Sequence, residues 1–145
     1  MKCKLEIYSS DFSTQLPLQY AEEGIRAGFP SPAQDYTTEP IDLNKELIRH
    51  PASTFYARVV GDSMTGCGID DGDLIVIDKY IDPQDGDIVV AFIDGEFTLK
   101  RIKTEEDYLL LMPENPEYTP IKVTETNRFI VWGVVTYNIK RQCNR

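Results

Sequence analysis

One stretch decides the fold: residues 88–102, which read IVVAFIDGEFTLKRI. Residues 88–93 are apolar at every position, which is typical of a strand that is buried on both faces. The Asp94-Gly95 pair that follows is a strong signal for a two-residue turn between antiparallel strands. Residues 96–102 then alternate at period 2, with Lys100 on one of the two faces. The stretch therefore predicts a hairpin whose first strand lies at the centre of a sheet.

Further strand signals surround this hairpin, and Asp-Gly turns such as Asp71-Gly72 and Asp85-Gly86 separate several of them. The predicted strands are 55–60, 74–78, 87–93, 96–103, 108–112 and 129–138, and the alternating residues 1–8 predict one more, short and exposed. The expected fold class is mostly β: a compact, curved domain of several short antiparallel strands.

The N-terminal part of the chain has a different pattern. From residue 9 to about residue 35 the alternation is lost, and prolines and glycines interrupt the sequence. We expect an extended arm over residues 1–35 that docks on something to gain order, followed by a β-rich domain over residues 36–145. The best helix signal runs from Asp42, a suitable N-cap, to His50, and Pro51 is expected to end it.

Composition excludes several classes of protein. The chain has 145 residues, 41% of them hydrophobic, which suffices for a core. A net charge of −9 argues against broad nucleic-acid binding, and no apolar run reaches the length of a membrane span. Three cysteines without a C-x-x-C pair predict neither a disulfide framework nor a zinc site. We expect no metal and no cofactor, and a reducing cytoplasm fits best.

A candidate nucleophile lies in the segment Gly61-Asp62-Ser63-Met64. Three glycines within residues 61–68 allow positive φ angles and close backbone approach. A nucleophilic serine needs such a turn when backbone N–H groups must also point at an oxyanion. The alternative is an ordinary loop serine between strands, which this stretch alone favours.

Lys100 is the candidate general base. A base must be neutral, whereas a free lysine, with a pKa near ~10.4, is almost entirely charged at pH 7. Burial in an apolar site can lower a lysine pKa by up to ~3–5 units, and ~3 units correspond to ~4 kcal/mol. A catalytic Lys100 should therefore be the single buried lysine, within about 2.6–3.2 Å of Ser63 Oγ. The alternative is a solvated lysine on the outer face of a strand.

Other candidates have simpler explanations. His50 follows the predicted helix and has no evident serine or aspartate partner. Asp70, Asp71 and Asp73 do not have the spacing of a calcium loop and suit turns instead. Cys67 is near Ser63 in sequence, but a lone cysteine is more often a small packed residue.

At this point the sequence resembles the self-cleaving LexA/UmuD peptidases. The resemblance rests on Gly61-Asp62-Ser63-Met64, residues 68–78, Gly86-Asp87-Ile88-Val89, residues 94–98 and Leu99-Lys100-Arg101, and it extends from about residue 28 to the end. It implies a dyad of Ser63 and Lys100, and an oxyanion hole formed by the backbone N–H groups of Asp62 and Ser63.

The resemblance also implies a scissile bond between Ala27 and Gly28, in the arm. Only 27 residues precede that bond, too few for the helix-turn-helix domain of the repressor members, so the chain is expected to be UmuD-like. The resemblance then implies a bacterial homodimer, RecA filaments as co-protease, and a UmuC-like translesion polymerase as partner in the SOS response. Direct nucleic-acid binding is not expected.

Two questions stay open from sequence. Residues 28–41 could extend about 45 Å, at ~3.3 Å per residue, so the arm could reach Ser63 of its own chain or of a dimer partner. The alternatives to the peptidase are a non-enzymatic β-rich protein-binding module and a truncated LexA-like repressor derivative. A solvent-exposed Lys100 far from Ser63 would favour the module.

Overall fold

The computed structural model describes residues 4–11, 15, 17–19 and 40–145. They belong to two compact units, one comprising Met1–Ser10 with Ala52–Arg145 and the other Asp11–Pro51. The predicted boundary between arm and domain, near residue 35, lies outside the described residues and stays a prediction.

In the described part of the chain there are ten strands and one α-helix. In chain order they are β1 (Lys4–Ser9), β2 (Pro17–Gln19), β3 (Pro40–Asp42), α1 (Leu43–Leu47), β4 (Thr54–Val60), β5 (Leu74–Asp78), β6 (Ile88–Ile93), β7 (Glu96–Thr104), β8 (Leu109–Met112), β9 (Ile121–Val123) and β10 (Phe129–Ile139). The predicted class, mostly β with one short helix, is confirmed.

The larger unit is a single eight-stranded sheet in the order β1-β4-β5-β10-β6-β7-β8-β9, and all of its pairings are antiparallel. Strand β6 lies in the interior of the sheet, and Val89, Val90 and Ala91 are fully buried. The predicted central position of this apolar strand is confirmed. The smaller unit contains the two-stranded sheet β2-β3 and the helix α1.

The Asp94-Gly95 turn has the predicted form. Strands β6 and β7 pair up to Ile93 and Glu96, which leaves two residues in the turn. Both have positive φ angles, 46° for Asp94 and 88° for Gly95, as a type I′ turn requires. Two hydrogen bonds also hold the side chain of Asp94. Its carboxylate accepts them from Asn127 Nδ2 and from the Arg128 backbone N–H.

Two clusters of buried apolar side chains form the core. Their fully buried members come from β4, β5, β6, β7 and β8, and include Ala57, Ile75, Ile77, Val89, Leu99 and Leu111. Burial of this kind contributes about 25 cal/mol per Å² of apolar surface, so the sheet supplies a rigid platform for the loops at its ends.

The structure differs from the predictions at four short elements, three strands and the helix. Strands β2, β3 and β9 were not predicted, because three residues are too few to show a period. Helix α1 begins after the N-cap Asp42, as predicted, but ends at Leu47, because Ile48 is already extended. Pro51 instead begins a short 3-10 turn, Pro51–Ser53. No helix in the described ranges is long and apolar enough to cross a membrane.

Candidate active site

Ser63 lies in the tight turn that follows β4. The turn opens at Gly61, whose φ of 109° belongs to the region that glycine tolerates best. The Gly61 N–H donates a 2.8 Å hydrogen bond to Asp71 Oδ1, and this bond ties the turn to the loop before β5. Ser63 is 1% exposed, and its neighbour Met64 is packed into the core. The local glycine pattern was a correct indication of an unusual turn.

Lys100 lies in the middle of β7, where it pairs with Val89 of the central strand. It is 5% exposed and is the one buried lysine among the described residues. The alternative of a solvated lysine on an outer face is therefore not observed. The consecutive residues Thr98, Leu99 and Lys100 are all buried, so β7 is covered on both faces here, and period 2 alone could not decide the question.

The two side chains meet. Lys100 Nζ lies 3.2 Å from Ser63 Oγ, although the two residues are 37 positions apart in sequence. The amine also donates to Thr98 Oγ1 at 2.8 Å and to the Leu99 carbonyl at 3.0 Å. Desolvation disfavours the protonated form of an amine that is buried to this extent. A buried serine hydroxyl and a buried amine at this distance can exchange a proton.

A segment from a distant part of the chain holds the turn in place. The backbone N–H of Glu114 donates to the Ser63 carbonyl at 2.8 Å, and Asn115 Nδ2 donates to the Asp62 carbonyl at 2.9 Å. The Tyr118 hydroxyl donates to Asp62 Oδ1. Sequence reasoning missed these residues, because more than 50 positions separate them from the turn and no local motif marks them.

A cleft of about 360 Å³ leads to the lysine. Thr98 and Lys100 line it together with Phe97, Tyr118 and Ile121. Such a cleft, mainly apolar with a few polar groups, is the usual form of a site that receives a ligand.

The remaining sequence candidates have structural roles. Cys67 is half-buried and its thiol donates to the Met64 carbonyl at 3.2 Å, and burial raises its pKa, which disfavours the reactive thiolate. Asp73 accepts from the Asp70 N–H and pairs with Lys140, so it stabilises a loop. In the part of the chain described here, no group of three or more His, Cys, Asp or Glu side chains has the arrangement of a metal site.

The predicted site residues thus fall into two sets. Asp62, Ser63 and Lys100 lie together, since Lys100 contacts Ser63 and Asp62 precedes Ser63 in the turn, and Lys100 of this set also lines the cleft. Ala27 and Gly28, the predicted scissile pair, lie outside the described residues. The exposed, distant Lys100 that the binding-module alternative requires is not observed.

An antiparallel β domain that holds a buried serine against a buried lysine has the features of the serine hydrolases in which lysine takes the place of histidine. Comparison with known proteins supports the assignment to this class of hydrolase. The model of the family described as Peptidase S24-like matches residues 19–136.

Three relatives are similar over most of their length. Protein SamA of Salmonella typhimurium is 50% identical over 110 residues, which are 76% of each chain. Protein ImpA of Shigella flexneri is 45% identical over 122 residues, 80% of this chain and 79% of that protein. Protein MucA of Escherichia coli is 36% identical over 138 residues, 94% of each chain.

The chain therefore belongs to the Peptidase S24-like family, the serine peptidases of the LexA/UmuD type. The resemblance found from sequence is confirmed, and with it the class of the protein, a serine peptidase of the SOS-related, self-cleaving kind.

Proposed function

We propose that this protein cuts its own arm between Ala27 and Gly28, with Ser63 as nucleophile and Lys100 as general base. The observation that carries the proposal is the buried 3.2 Å contact between Lys100 Nζ and Ser63 Oγ. Hydrogen-bond distance allows direct proton transfer, and burial favours the neutral amine that must accept the proton.

The reaction begins when neutral Lys100 takes the proton of the Ser63 hydroxyl. Ser63 Oγ then forms a bond to the carbonyl carbon of Ala27, and the carbonyl oxygen becomes an oxyanion. As the tetrahedral intermediate collapses, the bond to Gly28 breaks and protonated Lys100 gives its proton to the departing amine. Water then attacks the acyl-enzyme, with Lys100 again as base, and releases the Ala27 carboxylate.

The backbone N–H groups of Asp62 and Ser63 form the oxyanion hole in this proposal. Both amides belong to the turn that presents Ser63 Oγ, and three hydrogen bonds from residues 114–118 hold that turn. Fixed donors are effective because they need no reorganisation when charge develops, and one such donor is worth about 10²–10³ in rate.

Small residues at the scissile bond suit this arrangement. Ala27 and Gly28 carry almost no side chain, so the backbone can approach Ser63 closely. Because the substrate is tethered to the enzyme, its effective concentration is high and a weak peptidase suffices. Cleavage within one chain and cleavage between the two chains of a dimer are both compatible with the length of the arm.

In the cell, the processed form acts as accessory subunit of an error-prone, UmuC-like translesion polymerase during the SOS response. The protein works as a homodimer in the bacterial cytoplasm, and RecA filaments stimulate the cleavage. Support for this part of the proposal comes from membership of the LexA/UmuD type of peptidase.

Incubation of the purified full chain at increasing pH, followed by mass spectrometry, tests the proposal. We expect two products, residues 1–27 and 28–145, and faster cleavage when RecA filaments on single-stranded DNA are added. Ser63→Ala is the matched control and should stay intact. An intact wild-type chain under all these conditions, or a cut at another bond, would contradict the proposal. Measurable operator binding by the intact chain would instead support the repressor alternative.

A further inference from the structure

The segment of residues 113–120, here called the clamp segment, connects β8 to β9 and grips the nucleophile turn through its backbone. The Glu114 N–H donates to the Ser63 carbonyl at 2.8 Å, and the Glu114 carbonyl accepts from the Gly66 N–H at 2.6 Å. A side chain at position 66 would collide with the Glu114 carbonyl, so the two segments lie in direct contact there.

Two side chains of the clamp segment hold Asp62. Asn115 Nδ2 donates to the Asp62 carbonyl at 2.9 Å, and the Tyr118 hydroxyl donates to Asp62 Oδ1. Asp62 is otherwise exposed and starts the turn that carries Ser63. Its backbone orientation therefore depends on contacts that come from outside the turn.

The clamp segment is also connected to the strand of the lysine. Arg101 follows Lys100 in β7, and its Nε lies 2.6 Å from Glu114 Oε1. Arg101 Nη1 also donates to the Gly86 carbonyl at 2.6 Å. Both partners of the ion pair are about one-third exposed, so its contribution to global stability is small. Its effect is geometric. Glu114 contacts Ser63 through its backbone and Arg101 through its side chain, so this one residue joins the turn of Ser63 to the strand of Lys100.

Tyr118 differs from Glu114 and Asn115, the other two clamp residues that hold the turn, because it also lines the cleft that contains Thr98 and Lys100. Tyr118 thus borders the cleft, while its hydroxyl reaches Asp62. A peptide that packs against the ring would restrict the side chain in the orientation that holds Asp62. Occupancy of the cleft and the geometry of the nucleophile turn are thus connected through one side chain.

We propose that Tyr118 is a positioning residue for the peptidase reaction: by holding Asp62, it sets the backbone N–H groups that receive the oxyanion. This inference rests on the proposed function, and it adds a residue that acts through Asp62 without taking part in proton transfer. Loss of the hydroxyl leaves Ser63 and Lys100 in contact but lets the turn relax. Displacements of about 1 Å at a reacting centre can lower a rate by up to ~10²-fold.

The test measures the self-cleavage rate of the full chain as a function of pH for wild type, Tyr118→Phe, Asp62→Ala and the double variant. Tyr118→Phe should lower the alkaline plateau roughly tenfold, the effect of losing one hydrogen bond of ordinary strength in the transition state. The pH midpoint should stay unchanged, because the surroundings of Lys100 are unaltered. Tyr108→Phe is the matched control, since Tyr108 contacts Lys122 on β9, and it should cleave like wild type.

A purely structural role would give different results. It would lower the thermal midpoint of Tyr118→Phe, and the loss of cleavage rate would follow the loss of stability. Because the proposed contact joins the two residues, the double variant should lose no more than Asp62→Ala alone. A wild-type plateau for Tyr118→Phe, a shifted pH midpoint or additive losses would each overturn the inference. A wild-type chain that does not cleave refutes the proposed function itself, which is a separate outcome.

Discussion

Lys100 Nζ lies closer to Thr98 Oγ1, at 2.8 Å, than to Ser63 Oγ, at 3.2 Å. Thr98 and Lys100 are two positions apart and neighbours on one face of β7, so the lysine side chain folds back along the strand to make this contact. Thr98 is itself 8% exposed. The threonine hydroxyl therefore fixes the direction from which the amine meets the serine.

Removal of the Thr98 hydroxyl should slow cleavage without unfolding the domain. Thr98→Val keeps the shape of the side chain but loses the acceptor, and the cleavage rate should fall roughly tenfold, as expected for one hydrogen bond. Thr98→Ser retains the hydroxyl and should cleave much faster than Thr98→Val. The rate of fragment formation measures both, and equal rates for the two variants would show that the contact has no role in positioning the amine.

Replacement of Lys100 by methionine should abolish cleavage and keep or raise stability. The apolar side chain fills a similar volume and removes the amine, whose burial is unfavourable. Lys103→Met, on the same strand but exposed, is the control and should cleave normally. The measurements are fragment yield and the thermal midpoint. Continued cleavage by Lys100→Met would mean that another group is the base.

Cleavage should accelerate with rising pH and then reach a plateau. Below the pKa of the base, the neutral fraction of an amine rises about tenfold per pH unit, and the rate should follow it. The Cys67 thiol could produce a similar alkaline increase, although burial raises its pKa and delays its ionisation. Cys67→Ala should therefore retain the wild-type profile. Loss of the alkaline increase in that variant would assign the titration to the thiol.

The stability of the protein should depend on Asp73 at acid pH. Burial raises the pKa of this carboxyl, but hydrogen bonds from the Asp70 N–H, Lys140 and Asn138 outweigh burial and bring it below the usual value. A depressed pKa in the folded state stabilises the fold above the ordinary carboxyl value of about 3.9. This contribution is lost as the pH falls through the depressed value.

Asp73→Asn should lower the free energy of unfolding at pH 7 by about 1–3 kcal/mol, because a buried charged acceptor is lost. The difference in free energy of unfolding between Asp73→Asn and wild type should shrink as the pH falls below the ordinary carboxyl pKa. Urea unfolding at several pH values measures this, with the exposed Asp107→Asn as control. A constant difference across that range would show that the charge of Asp73 is not the cause.

Gly66→Ala should damage the nucleophile turn. The new methyl group would meet the Glu114 carbonyl, which itself accepts the Gly66 N–H, so the backbone must move. Overpacking of this kind costs about 1–3 kcal/mol. Cleavage should slow more than the loss of stability explains, because the displaced segment also holds Ser63. Thr65→Ala, at the exposed neighbouring position, should have little effect on unfolding in urea.

Sequence patterns predicted the long elements well and the short ones poorly. The apolar run of β6 and the Asp94-Gly95 turn determine a central hairpin, because continuous apolar residues and two positive φ angles admit few other structures. Strand β9 has three residues and follows Pro120, so neither period nor length identifies it. Its position is set by pairing with β8, which is a long-range interaction.

The active site shows the same division. The glycines around Ser63 indicated a tight turn, and the resemblance connected Ser63 with Lys100. Neither could show that Lys100 is 5% exposed, since burial of a strand face depends on which strands flank it. Asn115 and Tyr118 carried no sequence signal at all, because their partner Asp62 is near only in three dimensions.

By itself, then, the sequence determined the central hairpin, the turn at Ser63 and the class of the protein, because each depends on residues close together in the chain or on a motif. Only the tertiary structure decided that the lysine is buried against the serine and that the clamp segment holds the turn. Strands β4 and β7 are not neighbours in the sheet, so the contacts of Lys100 and Glu114 with Ser63 depend on the three-dimensional course of the whole sheet, which no local sequence pattern shows.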